Sequence, residues 1–154
     1  IEGEFESLID MREEPLACLT IAGRAIRNRP GILSELANAL RAEEINIDAV
    51  ASGMDSVTFY VDVDVAETAE ALLHEAVVTD EALSSVTVDD PIAAIRVTGG
   101  ELPNQSGVIQ DIIAPIADAG INIIDLITSA TSVAVFVDWD DREEALEIVQ
   151  DRFD

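Results

Sequence analysis

The chain has 154 residues, 49% of them hydrophobic, and a formal net charge of −24 set by 32 acidic residues against eight arginines, with no lysine. A charge of that sign repels nucleic-acid phosphates and acidic lipid surfaces, and no apolar run approaches the ~20 residues of a membrane-spanning helix, so neither nucleic acid nor membrane is expected as a partner. A single cysteine, Cys18, and a single histidine, His74, exclude an internal disulfide, a Cys–His catalytic pair and a zinc ligand set, and no cofactor or metal is expected.

The acids are interspersed with periodic hydrophobic residues, unlike a disordered acidic tail. They read as the surface of a folded protein adapted to high salt, where screening over ~3 Å at 1 M relieves self-repulsion. Cys18 lies in the apolar run LACLTI and reads as a buried small hydrophobe in a reducing cytoplasm. There is no basic-plus-apolar leader of the secretory type. A chain opening on Ile1 instead of Met is expected to be a processed product or a piece of something longer.

In chain order, FESLID (5–10) reads as a strand followed by the acidic link REEP, and LACLTIAG (16–23) as a strand ending in glycine. The loop RAIRNRPG has the turn residues that supply special backbone angles. Ile32, Leu33, Leu36, Ala39 and Leu40 then recur at 3–4 spacing, one face of an amphipathic helix. INIDAVA reads as a buried strand, SVTFYVDVD as its hairpin partner across Ser52-Gly53-Met54-Asp55, and residues 66–77 as a helix with His74 on its surface.

After an extra strand, LSSVTV (83–88), and a second acidic link, DDP, the same order returns. Residues 16–77 lie over residues 92–153 at a constant offset of 76 positions with no gap. Gly23 meets Gly99, Gly31 meets Gly107, Ile45-Asn46-Ile47 meets Ile121-Asn122-Ile123, and Asp62 and Asp64 meet Asp138 and Asp140. Register kept over that length marks a duplicated domain. The second copy has the strand IAAIRVTG, the loop GELPNQSG and a helix with Val108, Ile109, Ile112, Ile113 and Ile116 on one face. Pro115 is expected to kink that helix or shorten its ladder. INIIDLIT, SVAVFVDWD and a helix over 142–152 complete it.

Each copy is β-α-β-β-α plus one strand from before or after it, which implies an α+β protein of two ferredoxin-like βαββαβ units with antiparallel sheets and helices on one face. The expected organisation is a leading strand and linker over 1–14, a first domain over 15–81 and a second over 82–154, with strand 82–88 able to complete either.

NRPGILSELANALRAEEINIDAVASGMDSVTFYVD in the first copy, and LSSVTVDDPIAAIRVTGG with AGINIIDLITSATSVAVFVD in the second, resemble the ACT domain, a small-molecule-sensing module. The tandem resembles the regulatory C-terminal half of aspartokinases, over residues 5–153. The resemblance implies an allosteric domain that binds lysine or threonine, forms a homodimer or larger homo-oligomer through its ACT domains, and serves a kinase domain in cis or in trans. The Lys-Phe-Gly-Gly segment of that kinase cannot lie in a chain without lysine, and Gly99-Gly100 alone is a turn signal. No nucleophile–base pair can be assembled, so no catalytic residue is expected.

A site for a free amino acid needs N–H donors for its carboxylate and an acid for its ammonium. The first copy has Arg27-Asn28-Arg29-Pro30-Gly31 before a helix N-terminus, where orphan N–H groups gather positive charge, and Asp48 after Ile45-Asn46-Ile47. Carried over by the resemblance, the effector contacts are Ile26, Arg29, Gly31, Ile32 and Leu33, then Asn46, Ile47 and Asp48, then Ser52, Gly53 and Met54. The aspartokinase pattern at the last three is often Thr-Ser-Glu, from which Gly53 and Met54 depart.

Blander readings stand beside these. Asp48 also reads as a strand-end acid, Gly31 as a turn into the helix, Asn46 and Asn122 as local backbone caps. Arg24, Arg27 and Arg29 read equally as neutralisers of nearby acids, and Asp138, Asp140 and Asp141 as a solvated hairpin end, not a cation site. In the second copy Ile124 stands where Asp48 does, the acid Asp125 falls one residue later, and Ser106 replaces the proline. That copy is expected to be structural, with Trp139 half-exposed at an interface.

Overall fold

A computed structural model describes residues 8–24, 26, 31–81, 83–99, 107–129 and 131–153. The chain divides into two compact units, Leu16–Pro91 and Ile1–Pro15 with Ile92–Asp154.

After β1 (Leu8–Met11), the first unit holds β2 (Leu16–Ala22), α1 (Ile32–Ala42), β3 (Ile47–Ser52), β4 (Ser56–Asp62), α2 (Ala66–Thr79) and the first half of β5 (Ser85–Thr98). Its strands lie in the order β3-β4-β2-β5. β2 and β4 pair antiparallel without a break from Leu16↔Asp62 to Ala22↔Ser56. Because strand side chains alternate between faces, the pairs Ala17↔Val61, Leu19↔Phe59 and Ile21↔Val57 form the floor of the first core. α1 lays Ile32, Leu36 and Leu40 on that floor at four-residue spacing, and α2 lays Ala66, Ala69 and Leu73. On the other strand face Thr20 and Thr58 share a hydrogen bond of 3.1 Å between their hydroxyls.

The second unit repeats the plan with β5 from Ile92 onward, α3 (Val108–Asp118), β6 (Ile123–Thr128), β7 (Ser132–Asp138) and α4 (Arg142–Phe153). Its fourth strand is β1 (Leu8–Met11), in the order β1-β5-β7-β6. β1 runs antiparallel to β5 from Leu8↔Thr98 to Met11↔Ile95, and Arg12 N–H donates to Ala94 O at 3.1 Å. Ile9 and Met11 pack against the second core of Ile95, Val97, Val135, Ile112 and their neighbours. An ion pair between Asp111 and Arg152 ties α3 to α4. Trp139 is half-buried against that core, with Arg142 stacked 4.1 Å above its ring.

Both units are therefore βαββαβ, the ferredoxin-like plan expected. Each takes its last strand from the segment that precedes the other copy: residues 85–91 complete the first and residues 8–11 the second.

Several local expectations change. DDP is not a link: Asp89, Asp90 and Pro91 lie inside the continuous β5, and Pro91, which has no N–H for a ladder, sits where β5 leaves the first unit. The hairpin strands stop at Asp62 and Asp138, and the residues expected to extend them form 3-10 turns over Val63–Val65 and Trp139–Asp141. Asp64, Asp140 and Asp141 there suit the start of a helix, where negative charge is favoured. INIDAVA is fully buried only at Ile45. β3 is an edge strand whose alternate residues are exposed. Leu33, expected on the buried face of α1, is 41% exposed, because a step of one residue from Ile32 turns the side chain about 100° around the helix. Pro115 lies within α3. The leading strand expected over 5–10 is seen at 8–11, residues 5–7 lying outside those described.

Candidate functional site

In the first unit, the N-terminus of α1, the edge strand β3 and the β3–β4 turn carry the residues the resemblance singles out. Gly31 is the N-cap of α1 at φ 83° and ψ −3°, a left-handed conformation that L side chains rarely adopt. Its carbonyl accepts from Glu35 N–H at 2.9 Å. Among the described residues no side-chain cap hydrogen bond is made at Gly31, so the first N–H groups of the helix form a patch of partial positive charge. Ile26 and Ile32 are core residues, 3% and 6% exposed. They hold the loop and the helix down from beneath. Leu33 is open to solvent, and Arg29 lies outside the described residues.

β3 follows α1 through a tight reversal. Glu44 is the one described non-glycine residue with positive φ, at 62°, and Ile45 N–H returns to Leu40 O at 3.1 Å. Asn46 is exposed, and Ile47 is half-buried and packs on the core. Then the register slips: Ile47 faces Val61 but Ala49 faces Tyr60, so Asp48 is the extra residue of a β-bulge. Bulges disrupt the ladder and re-aim a side chain, and Asp48 is exposed there. Ser52 ends β3, also exposed, and Gly53 N–H donates to Ser56 O at 2.8 Å across the turn. Met54, at the tip, is 62% exposed. Gly31 opens the helix mouth and Asp48 offers a carboxylate, but at opposite ends of the ladder: Asp48 is level with Ala17 and Cys18 at the start of β2, and the helix mouth follows Ala22 at its end.

The second unit has the same scaffold with different groups. Gly107 caps α3 at φ 85° and ψ −3°, and Gly120 at φ 82° takes the place of Glu44. The bulge recurs, with Ile123 facing Val137 and Asp125 facing Phe136. Its extra residue is Ile124. Asp125 occupies the position of Ala49 and its carboxylate accepts from Leu126 N–H at 2.9 Å. At the following turn Ser129 and Ser132 join hydroxyls at 2.8 Å. Residues 101–106 of its loop lie outside those described.

Sequence reasoning missed the bulge. In the sequence Asp125 simply falls one residue after the position of Asp48, whereas in the structure position 48 is the extra residue of the bulge and position 125 the paired residue after it. The only trace in the sequence is that Ile47 and Val50 fail to keep period two with the core residues of β4 opposite them. Among the described residues no group of three or more His, Cys, Asp or Glu side chains is placed to hold a metal ion.

The described residues form a pair of ferredoxin-like α+β units built on one duplicated plan. An ACT-domain model matches residues 19–77 and another matches residues 87–151, so the chain belongs to the ACT-domain family, as two such domains in tandem. It is similar to the aspartokinase of Helicobacter pylori, 28% identical over 124 residues that make up 77% of this chain and 30% of that relative's length. Among solved structures it is similar in fold to the ligand-free regulatory subunit of aspartate kinase from Thermus thermophilus, with a TM-score of 0.84 and 22% identity over 98% of this chain and 99% of that one. It is also similar in fold to E. coli aspartokinase III in complex with lysine and aspartate, with a TM-score of 0.76 and 20% identity over 98% of this chain and 34% of that one.

Proposed function

We propose that the chain is the regulatory part of an aspartokinase and that its first unit binds an amino acid of the aspartate family, lysine or threonine, to exert feedback control. The observation that carries this is the placement of Asp48 on the β3 bulge in the same unit as the uncapped, Gly31-opened N-terminus of α1. The helix mouth and the arginine-bearing loop before it receive the carboxylate of an amino acid bound across the homodimer interface, and Asp48 of the second protomer receives the ammonium or the side-chain amine. Leu33, Asn46, Ser52 and Met54, all exposed, line the approach. The catalytic kinase domain lies elsewhere, joined in cis or acting in trans, and the domains assemble as a homodimer in a salt-rich cytoplasm. That E. coli aspartokinase III was crystallised with lysine supports lysine as the first ligand to try.

Titration calorimetry in about 1 M KCl tests it: one of the two amino acids releases or absorbs heat saturably, and the other eighteen do not. Silence with both lysine and threonine, with the chain folded, removes the reading.

Co-purification with a separate kinase polypeptide tests the trans arrangement.

A further inference from the structure

β6 is an edge strand, paired with β7 on one side and with no described strand on the other. Such an edge leaves a row of backbone N–H and C=O groups without ladder partners, a template on which another extended chain can add. The register says which residues present that row. Ser129 N–H donates to Ser132 O at 2.9 Å, so these two form a hydrogen-bonded pair. Along an antiparallel ladder such pairs alternate with pairs whose N–H and C=O groups turn away from the partner strand. Ile127↔Ala134 and Asp125↔Phe136 therefore bond across the ladder, while Thr128↔Val133 and Leu126↔Val135 do not. The N–H groups of Leu126 and Thr128 point off the open edge.

The side chains of β6 favour such an addition. Ile123, Ile124, Leu126 and Ile127 fall within it, each half-buried. Leu126 leans on the second core, and Ile127, by alternation, stands on the opposite face. Asp125 is the one charged residue between Asp118 and Asp138, in a chain of which 26% is charged. Short apolar strands of low charge stack readily on copies of themselves. Against this, the Asp125 carboxylate accepts from Leu126 N–H at 2.9 Å. It occupies an outward donor of the edge, and it sets there a charge that an added strand would have to desolvate. The shared fold requires neither feature: where β6 has Ile124, Asp125 and Ile127, β3 has Asp48, Ala49 and Ala51.

We propose that the β6 edge is a self-association surface for a second copy of this chain, and that Asp125 holds it closed. The occupant is another β6. A two-fold axis at Ile127 sets Leu126 of each copy opposite Thr128 of the other, so that the outward N–H and C=O groups of both residues pair, as an isologous contact requires. A chain of net charge −24 meets its own copy with least repulsion where neither surface is charged, and apart from Asp125 this edge is such a place. With Asp125 present, its carboxylate must give up the Leu126 N–H and enter the contact unpaired, which is costly. The inference is independent of what the first unit binds.

Sedimentation velocity of the full chain in about 1 M KCl, where charge between copies is screened, tests it. Asp125→Ala is expected to add a species of about twice the wild-type mass or more that grows with protein concentration. Asp118→Ala, which removes an exposed acid from the end of α3, keeps the wild-type distribution. Asp125→Ala combined with Thr128→Glu returns a carboxylate to the exposed end of the same edge and restores the net charge, and it is expected to revert to the wild-type distribution. A folded Asp125→Ala variant that sediments as the wild type at every concentration overturns the proposal. So does a gain in mass that Asp118→Ala shares or that Thr128→Glu leaves in place. The wild type supplies a reading that no folding defect can spoil: relative to their intrinsic rates, the amide of Leu126 is expected to exchange more slowly than that of Thr128, the other outward N–H. Equal protection at the two also overturns it.

Discussion

Asp48 and Ile124 occupy one and the same place in the two units: each is the extra residue where the edge strand slips past its neighbour, between Ile47 and Ala49 in one and between Ile123 and Asp125 in the other. The duplicated scaffold keeps the bulge and changes only what it presents. In the first unit it presents a carboxylate to solvent, in the second a half-buried hydrocarbon. The acid next to that hydrocarbon, Asp125, is occupied with the backbone N–H of its own neighbour.

Asp48→Ala is accordingly expected to weaken amino-acid binding by about ten-fold or more, the scale of a lost hydrogen bond to a charged group at ~1.5–3 kcal/mol. Asp125→Ala is expected to leave affinity within about two-fold. Calorimetric titrations of the two variants side by side check it, and equal losses move the site away from the bulge.

Glu44 and Gly120 are a second matched pair that the duplication makes informative. Both turn the chain from a helix into an edge strand with φ near +62° and +82°, and in both the next residue returns to the helix, Ile45 to Leu40 and Ile121 to Ile116. An L side chain in that conformation is strained by roughly 1–2 kcal/mol, offset in part by the extra freedom glycine has when unfolded. Glu44→Gly is expected to stabilise the chain by about 0.5–1 kcal/mol and Gly120→Ala to destabilise it by a similar amount, read from denaturant midpoints at constant slope. A Glu44→Gly variant less stable than its parent would mean that the Glu44 side chain makes a compensating contact.

The repeat, the 3.6-residue periodicity of α1 and α3 and the hairpin pattern of β4 and β7 were all legible in the sequence, because each is a local pattern carried by side-chain type. Three features were not. The bulge leaves INID and INIID looking like ordinary strand, since an extra residue is defined only against the partner strand. The left-handed turn at position 44 is announced by glycine in one copy and hidden by glutamate in the other. Which sheet LSSVTV and the leading strand join is a question of long-range pairing. LSSVTV lies between the two copies, and its apolar residues Val86 and Val88 suit either core until the first one claims them. Of the candidate site, Asp48 and Gly31 were legible as chemistry and Ile32 as part of the apolar face of α1, while the burial of Ile26 was not.

The ion pair between Asp111 and Arg152 has glutamate and alanine, Glu35 and Ala76, at the matching positions of the first unit. Both partners are more than two-fifths exposed, so the pair is screened and worth at most about 1 kcal/mol. Asp111→Ala is expected to cost a few tenths of a kcal/mol in dilute buffer and nothing measurable in about 1 M KCl. A loss above about 1 kcal/mol that persists in salt would assign the pair a part in the packing of α3 on α4 beyond charge.

The net charge of −24 makes the strongest demand on conditions. With 32 acids against eight arginines, the compact state crowds like charges more than the unfolded chain does, and unfolding relieves that repulsion by expansion. Salt removes the difference as the screening length shrinks from about 10 Å at 0.1 M to about 3 Å at 1 M. The melting temperature is therefore expected to climb steeply from dilute buffer to molar KCl and to flatten above it, with tetramethylammonium chloride of equal ionic strength giving much of the same gain. A melting temperature indifferent to KCl would mean that the acids are balanced locally within each unit, and it would remove the reading of a salt-adapted protein.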